Sequence, residues 1–266
     1  MESQILYRVQ REDLPQLKEL LTESFANDPL YQNLIPDEET RKRLLPELFE
    51  CDLSEFFDTC EIFADSRELN GILLVSDDAD PYNPFHYFLA ELKAQLKTDE
   101  YLIKEDMSLK TLLNFFLGRD YLNSRWTDQR HQENRLHLIY LAVRPSMQHH
   151  GISALLIGEA IRYADEHKMM ISLETHNEKN VSLYQHFGFK LYGVVERPPF
   201  HLKQYCMVKE IRASDGRRPD HPKKQPSEIA GAFLPTDASI TRRKLNHFTN
   251  TKVELKFSLA SQGTPH

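Results

Sequence analysis

Nowhere in the 266 residues is there a run approaching the roughly 18 apolar residues that a membrane span requires. The opening stretch, MESQILYRVQRED, has neither the basic start nor the apolar core of a secretory signal. The expectation is a cytoplasmic protein with no membrane partner. Cysteine is scarce. Cys51, Cys60 and Cys206 are odd in number and lack C-x-x-C spacing, which argues against both a disulfide framework and a structural zinc cluster. Positive charge is not in excess either: the net charge is -7 and the isoelectric point about 6.0, so the chain has no electrostatic grip on nucleic acid. No internal repeat is present.

What is there divides unevenly. Residues 213–266 carry nine Lys and Arg against five Asp and Glu, and SDGRRPDHPKKQPSE within them is polar, Pro-rich and aperiodic, as a linker would be. Beyond it, KVELKFSL (252–259) alternates like a strand in want of a partner, either within this chain or in a second copy as a homodimer exchanging this segment. Residues 1–212 read as one catalytic-sized domain. ILYRV (5–9) predicts a strand, and Leu14, Leu17, Leu20, Leu21 and Phe25 recur at helical spacing until Asn27-Asp28-Pro29 breaks the helix. A second helix is expected from Pro36-Asp37-Glu38 through Phe57, kinked at Pro46. EIFADSR and NGILLVSDD then predict a hairpin, and residues 78–134 a helical insertion rich in aromatics.

The pattern 135–176 is strand, helix, strand, which is a parallel crossover. RLHLIYLAV (135–143) ends at Arg144-Pro145, and Gln148-His149-His150-Gly151-Ile152-Ser153 leads into a helix over 153–167. The first amides of such a helix lack internal partners and lie at its positive end, so they attract phosphate. Gly151 permits a close approach of backbone to ligand, Ser153 can cap the helix or donate its hydroxyl, and Arg144 or either histidine can add charge. The His149-His150 pair has no third ligand at metal spacing, and no metal is expected. MISLETH (170–176) is followed by a short helix over 180–187, stopped by Gly188, and by strands FKLYGVVE and HLKQYCMVKEI.

These residues resemble the GNAT superfamily of N-acetyltransferases. Val143, Pro145, Gln148 and Gly151 match its motif V-x-P-x-x-[QR]-x-x-G-x-[GA], with Ser153 departing from the last position; Asn180, Tyr184 and Gly188-Phe189 match its second signature. The resemblance implies an α/β fold: a mixed, mostly antiparallel sheet with a splayed parallel central pair, flanked by helices, its cofactor core at about 135–190. It implies acetyl-CoA as co-substrate, with Gln148, His149, His150, Gly151, Ile152 and Ser153 around the pyrophosphate. It implies further that Leu141, Ala142 and Val143 pair with the pantetheine arm, that Asn177 and Asn180 lie beside it, and that Tyr184 sits near the sulfur.

Acetyl transfer to an amine needs a proton acceptor, an oxyanion donor and a proton for the departing thiolate. A backbone amide of 141–143 suits the oxyanion and Tyr184 the acid. Many family members carry a glutamate in the strand before the loop; here simple alternation puts His137, Ile139 and Leu141 on one face, Leu138 and Tyr140 on the other, and no carboxylate on either. Glu174, at the end of the neighbouring strand, is the first candidate base and His137 the second. Phe25, Asp28 and Tyr31 are expected to contact a small-molecule amine, with Asp28 either pairing with its ammonium or simply ending a helix. Their F-x-x-D-P element resembles the branch that includes puromycin acetyltransferase. The rival expectation is a non-catalytic CoA-binding module of the same fold.

Overall fold

The computed structural model describes residues 1–77, 84–105, 110–118, 121–122, 126 and 134–210; the side chains of 84–92 and 95 are outside the description. The linker and the strand expected within 213–266, and with them the expected strand exchange, lie outside the described residues.

Seven strands form one sheet in the order β1-β2-β3-β4-β5-β7-β6. They are β1 (Tyr7–Arg8), β2 (Glu61–Ala64), β3 (Gly71–Asp77), β4 (Arg135–Val143), β5 (Met170–Thr175), β6 (Lys190–Glu196) and β7 (Lys203–Lys209). Only β4 and β5 run parallel; the other neighbours are antiparallel. This is the mixed α/β sheet of the GNAT fold.

Helix α1 (Leu14–Phe25) and helix α3 (Glu38–Thr59) cover one face. Leu17, Leu20 and Leu21 of α1 meet Leu45, Phe49 and Leu53 of α3 and Ile72 and Leu74 of the sheet, all buried. Pro46 lies inside α3 without dividing it. Helix α6 (Ile152–His167) and helix α7 (Glu178–His186) cover the other face. There Leu156, Ile157 and Ala160 pack on Leu136, Leu138, Ile171 and Leu173, and Tyr184 of α7 joins the same core. The insertion supplies α4 (Pro84–Glu105) and α5 (Lys110–Leu117). Leu102 of α4 packs with Leu44 and Leu48, which seats this region against α3.

Two local departures from simple periodicity matter. The segment after Asp28 is not an open connection but a one-and-a-half-turn helix, α2 (Pro29–Leu34). Asp28 caps it, its carboxylate accepting from the Leu30 amide at 2.9 Å. Buried Arg41 ties the two turns around α2 to α3, donating to the carbonyls of Ala26 and Ile35. The second departure is in β4: Leu74 faces Tyr140 and Val75 faces Leu138, so Ile139 is an extra residue, a β-bulge. Past it the alternation is inverted. Leu136, Leu138 and Leu141 contact the α6 core, whereas Ile139, Tyr140 and Ala142 contact the α1/α3 core. The expected sharing of a face by Leu138 and Tyr140, and by Ile139 and Leu141, is therefore corrected.

Candidate active site

Parallel pairing between β4 and β5 stops at Leu138 and Leu173, although β4 runs on to Val143 and β5 to Thr175. The two strands splay at the bulge. Leu141, Ala142 and Val143 keep their partners on β3 but have none on β5, so the edge facing the gap retains backbone groups for a ligand.

The loop after β4 is shaped by two left-handed residues. His149 has φ 67° and Gly151 φ 82°, and Gly151 is the N-cap of α6. The first helical bond runs from the Leu155 amide to the Gly151 carbonyl at 3.0 Å. The amides of residues 149–154 consequently have no partner among the described residues, and a Cβ at Gly151 would meet nothing within 4 Å. Free amides, open space and the positive end of a sixteen-residue helix fit a pyrophosphate. Gln148, His149, His150 and Gly151 are exposed around it, with Ile152 and Ser153 half-buried behind.

Two expectations for this loop change. Ser153 does not cap, because α6 starts one residue earlier and Gly151 holds the cap position. Arg144 does not face the loop. Its guanidinium pairs with Glu23 at 2.9 Å and Glu19 at 3.1 Å and donates to the Leu69 carbonyl, which ties the end of β4 to α1.

Downstream, Asn177 caps α7, accepting from the Lys179 amide at 3.1 Å. Asn180 donates to Thr175 Oγ1 at 3.4 Å. Tyr184 is buried against Phe189 and the α6 core; its hydroxyl makes no hydrogen bond among the described residues, and burial raises its pKa well above the ordinary phenol value. It therefore holds its proton at neutral pH.

On the opposite face the two candidate bases come together. His137 Nε2 lies 3.1 Å from Glu174 Oε2, and His137 Nδ1 lies 2.8 Å from Ser172 Oγ. Trp126 Nε1 donates to Glu174 Oε1. The pair is almost fully enclosed, His137 at 3% and Glu174 at 13% side-chain exposure. Among the described residues no group of three His, Cys, Asp or Glu is arranged to hold a metal.

Periodicity did not single out His176, Tyr140 or Asp52. Burial lowers the His176 pKa to about 4, so it is neutral; it contacts Tyr121, and its shielded Nε2 has no partner among the described residues. Tyr140 donates to Asp52 Oδ2 at 2.8 Å. The bulge that aims Tyr140 leaves no trace in the pattern of apolar residues, but Asp52 had one: it falls within the apolar stripe Phe49, Leu53, Phe56 of α3.

Phe25, Asp28 and Tyr31 do gather beside these residues. The Phe25 ring lies 6.3 Å from Tyr31, 5.8 Å from Phe49 and 5.5 Å from Tyr140. Asp28 is a helix cap, yet it is also a half-buried carboxylate whose pKa is raised to about 6 by desolvation, with no cation paired to it among the described residues.

Residues 116–189 match the model of the Acetyltransferase (GNAT) family. No curated protein matches the sequence. Among solved structures, one described as histone acetyltransferase HPA2 and related acetyltransferase, from Corynebacterium glutamicum, is similar over 78% of this chain and 96% of its own, at TM-score 0.51 and 18% identity. A polyamine N-acetyltransferase of Drosophila melanogaster (78% and 99% coverage, TM-score 0.42, 14% identity) and a mosquito arylalkylamine N-acetyltransferase-like protein (77% and 98%, TM-score 0.45, 16% identity) are more distant in shape. No described helix is long and apolar enough to cross a membrane. The family match over residues 116–189, which takes in the splayed strands and their loop, agrees with the sheet order, and together they give this chain the GNAT fold.

Proposed function

We propose that the protein is an acetyl-CoA-dependent N-acetyltransferase of small amines. The observation that carries this reading is the placement of two proton-handling groups on opposite faces of the sheet, where β4 and β5 separate. Glu174, fixed by His137 and Trp126, is on the α1/α3 face, and Tyr184 is in the α6/α7 core. A thioester held in the gap between the strands is within the domain of both.

The amides of 149–154 and the exposed side chains of Gln148, His149 and His150 hold the pyrophosphate, and the free edge of Leu141, Ala142 and Val143 aligns the arm. Asn177 and Asn180 flank the arm at the start of α7. Acetyl-CoA supplies the acyl group on its thioester. An alkyl ammonium of pKa ~10 must lose a proton before it can attack. Glu174, held by His137 and Trp126, accepts it, while His137 is held in place by Ser172. Tyr184 delivers the proton needed by the leaving sulfur, its high pKa keeping the phenol protonated until it acts. Phe25, Asp28 and Tyr31 wall the amine side. The likeness to the puromycin acetyltransferase branch rests on the element Phe25 to Pro29 alone.

The test is calorimetric titration of acetyl-CoA followed by thiol release against a panel of amines, with Gly151→Trp as the control. Binding lost in the control, with thiol release on an amine, is the expected result. Binding without release across the panel favours the non-catalytic CoA-binding module, and no binding at all overturns the reading of the loop.

A further inference from the structure

The α1/α3 face carries, beside the gap, a group of rings that the hydrophobic core alone does not require in this form. Tyr31 and Phe49 are buried and form its floor, 5.5 Å apart. Phe25, Phe56 and Tyr140 are half-exposed and form its rim, with Phe56 5.9 Å and Phe25 5.5 Å from Tyr140. Tyr140 is the first residue past the bulge, so the rim begins where β4 leaves β5, on the face that also carries Glu174.

Two half-exposed carboxylates stand in this apolar setting. Asp52 accepts the Tyr140 hydroxyl at 2.8 Å, and Tyr31 hydrogen-bonds the same tyrosine. The Tyr31 phenol feels the charge of Asp52 and, more weakly, of Asp28 from the other side. Asp28 has the Leu30 amide as its partner, and no cationic side chain pairs with it among the described residues. A carboxylate kept this far out of water without a cation costs free energy that the fold has to supply. Ring faces and carboxylates together make a receptor for a cation on an apolar body: the rings attract it through their quadrupoles, and the acids through their charge. The same acids repel any ligand that carries a carboxylate next to its amine, because like charges at close range cost several kcal/mol.

We propose that Phe25, Tyr31, Phe56 and Tyr140, with Asp28 and Asp52, form the acceptor site and select aryl- or alkyl-ammonium compounds that lack a carboxylate. The inference rests on the transferase reading above for the position of the gap, but its test is a binding measurement and stands apart from turnover. The probes are 2-phenylethylamine and phenylalanine, which differ by a single carboxylate, titrated calorimetrically into the full chain saturated with CoA. The expected result is at least ~100-fold tighter binding of 2-phenylethylamine, a preference that falls at least ~10-fold in Asp28→Asn and in Asp52→Asn. Asparagine can still accept from Leu30 and from Tyr140, so both variants should fold, and a cooperative melting transition no lower than the parent's together with unchanged CoA affinity verifies it. Equal binding of the two probes, no binding of 2-phenylethylamine, or a preference that survives both substitutions overturns the proposal. Binding with the stated preference but no thiol release from acetyl-CoA leaves the site standing and removes the transferase reading instead.

Discussion

The two sides of the gap are built from different materials. On the side proposed for the cofactor, residues 149–154 offer backbone amides around a left-handed glycine, and the nearest side chains are exposed. On the side proposed for the acceptor nearly everything is side chain: rings packed edge to face, a phenol bonded to Asp52, a carboxylate bonded to an imidazole. Backbone recognition asks little of the sequence beyond a glycine, a proline and a helix start. Side-chain recognition asks for specific residues drawn from distant segments, here 25–31, 49–56, 137–140 and 174.

The sharpest break of this contrast is Gly151→Trp. It fills the open space beside the amides and forces a bulky residue to φ 82°, so acetyl-CoA affinity should fall more than ~100-fold by calorimetry, while the ring cluster and its amine binding are untouched. Next is Tyr184→Phe, which should lower kcat ~100-fold or more with acetyl-CoA affinity within about twofold, as expected of a proton donor that does not hold the cofactor. Glu174→Gln should cost about as much in kcat, again with acetyl-CoA affinity within about twofold.

Asp28→Asn gives a smaller effect of opposite sign. The Asp28 pKa is raised from 3.8 to about 6, so between those values the folded chain keeps a proton that the unfolded chain has shed. Stability therefore declines as pH rises through this window, and the whole cost is present above it. The substitution should raise the stability measured by denaturant at about pH 8 by up to ~3 kcal/mol, and the gain should vanish below the unfolded value. A variant that is more stable and binds amine less well marks a residue kept for function. Smallest is Arg144→Ala, which removes contacts to Glu19 and Glu23 on the surface. About 1 kcal/mol of stability and no change in acetyl-CoA affinity are expected, whereas a phosphate ligand would lose both.

The same contrast explains how much could be read in advance. The sheet, the flanking helices, the crossover 135–176 and the loop were legible because apolar period and turn residues report backbone geometry directly. Within that half the misreadings were local: Ser153 sits one residue inside the helix it was expected to cap, and Arg144 is taken by α1. On the acceptor side, Glu174 and His137 were visible as separate candidates but not as a bonded pair, since nothing in a single strand reports the register of its neighbour. Asp28 was visible as a helix breaker or an ammonium partner, but its partial burial depends on α2 and on the way Arg41 ties the turns around α2 to α3, which no local pattern reports. Tyr140 was assigned to the wrong face because one unpaired residue, Ile139, breaks the rule of alternation.

That residue sets the phase of everything after it. Were Ile139 kept but paired in register, Tyr140 would turn toward α6 and Leu141 into the ring cluster, whereas deleting Ile139 would leave both on the faces they now occupy. One amino acid thus acts as the clutch between the two halves of the strand, letting its first half be spliced into a continuous sheet while its second half is handed over, out of step, to whatever enters the gap.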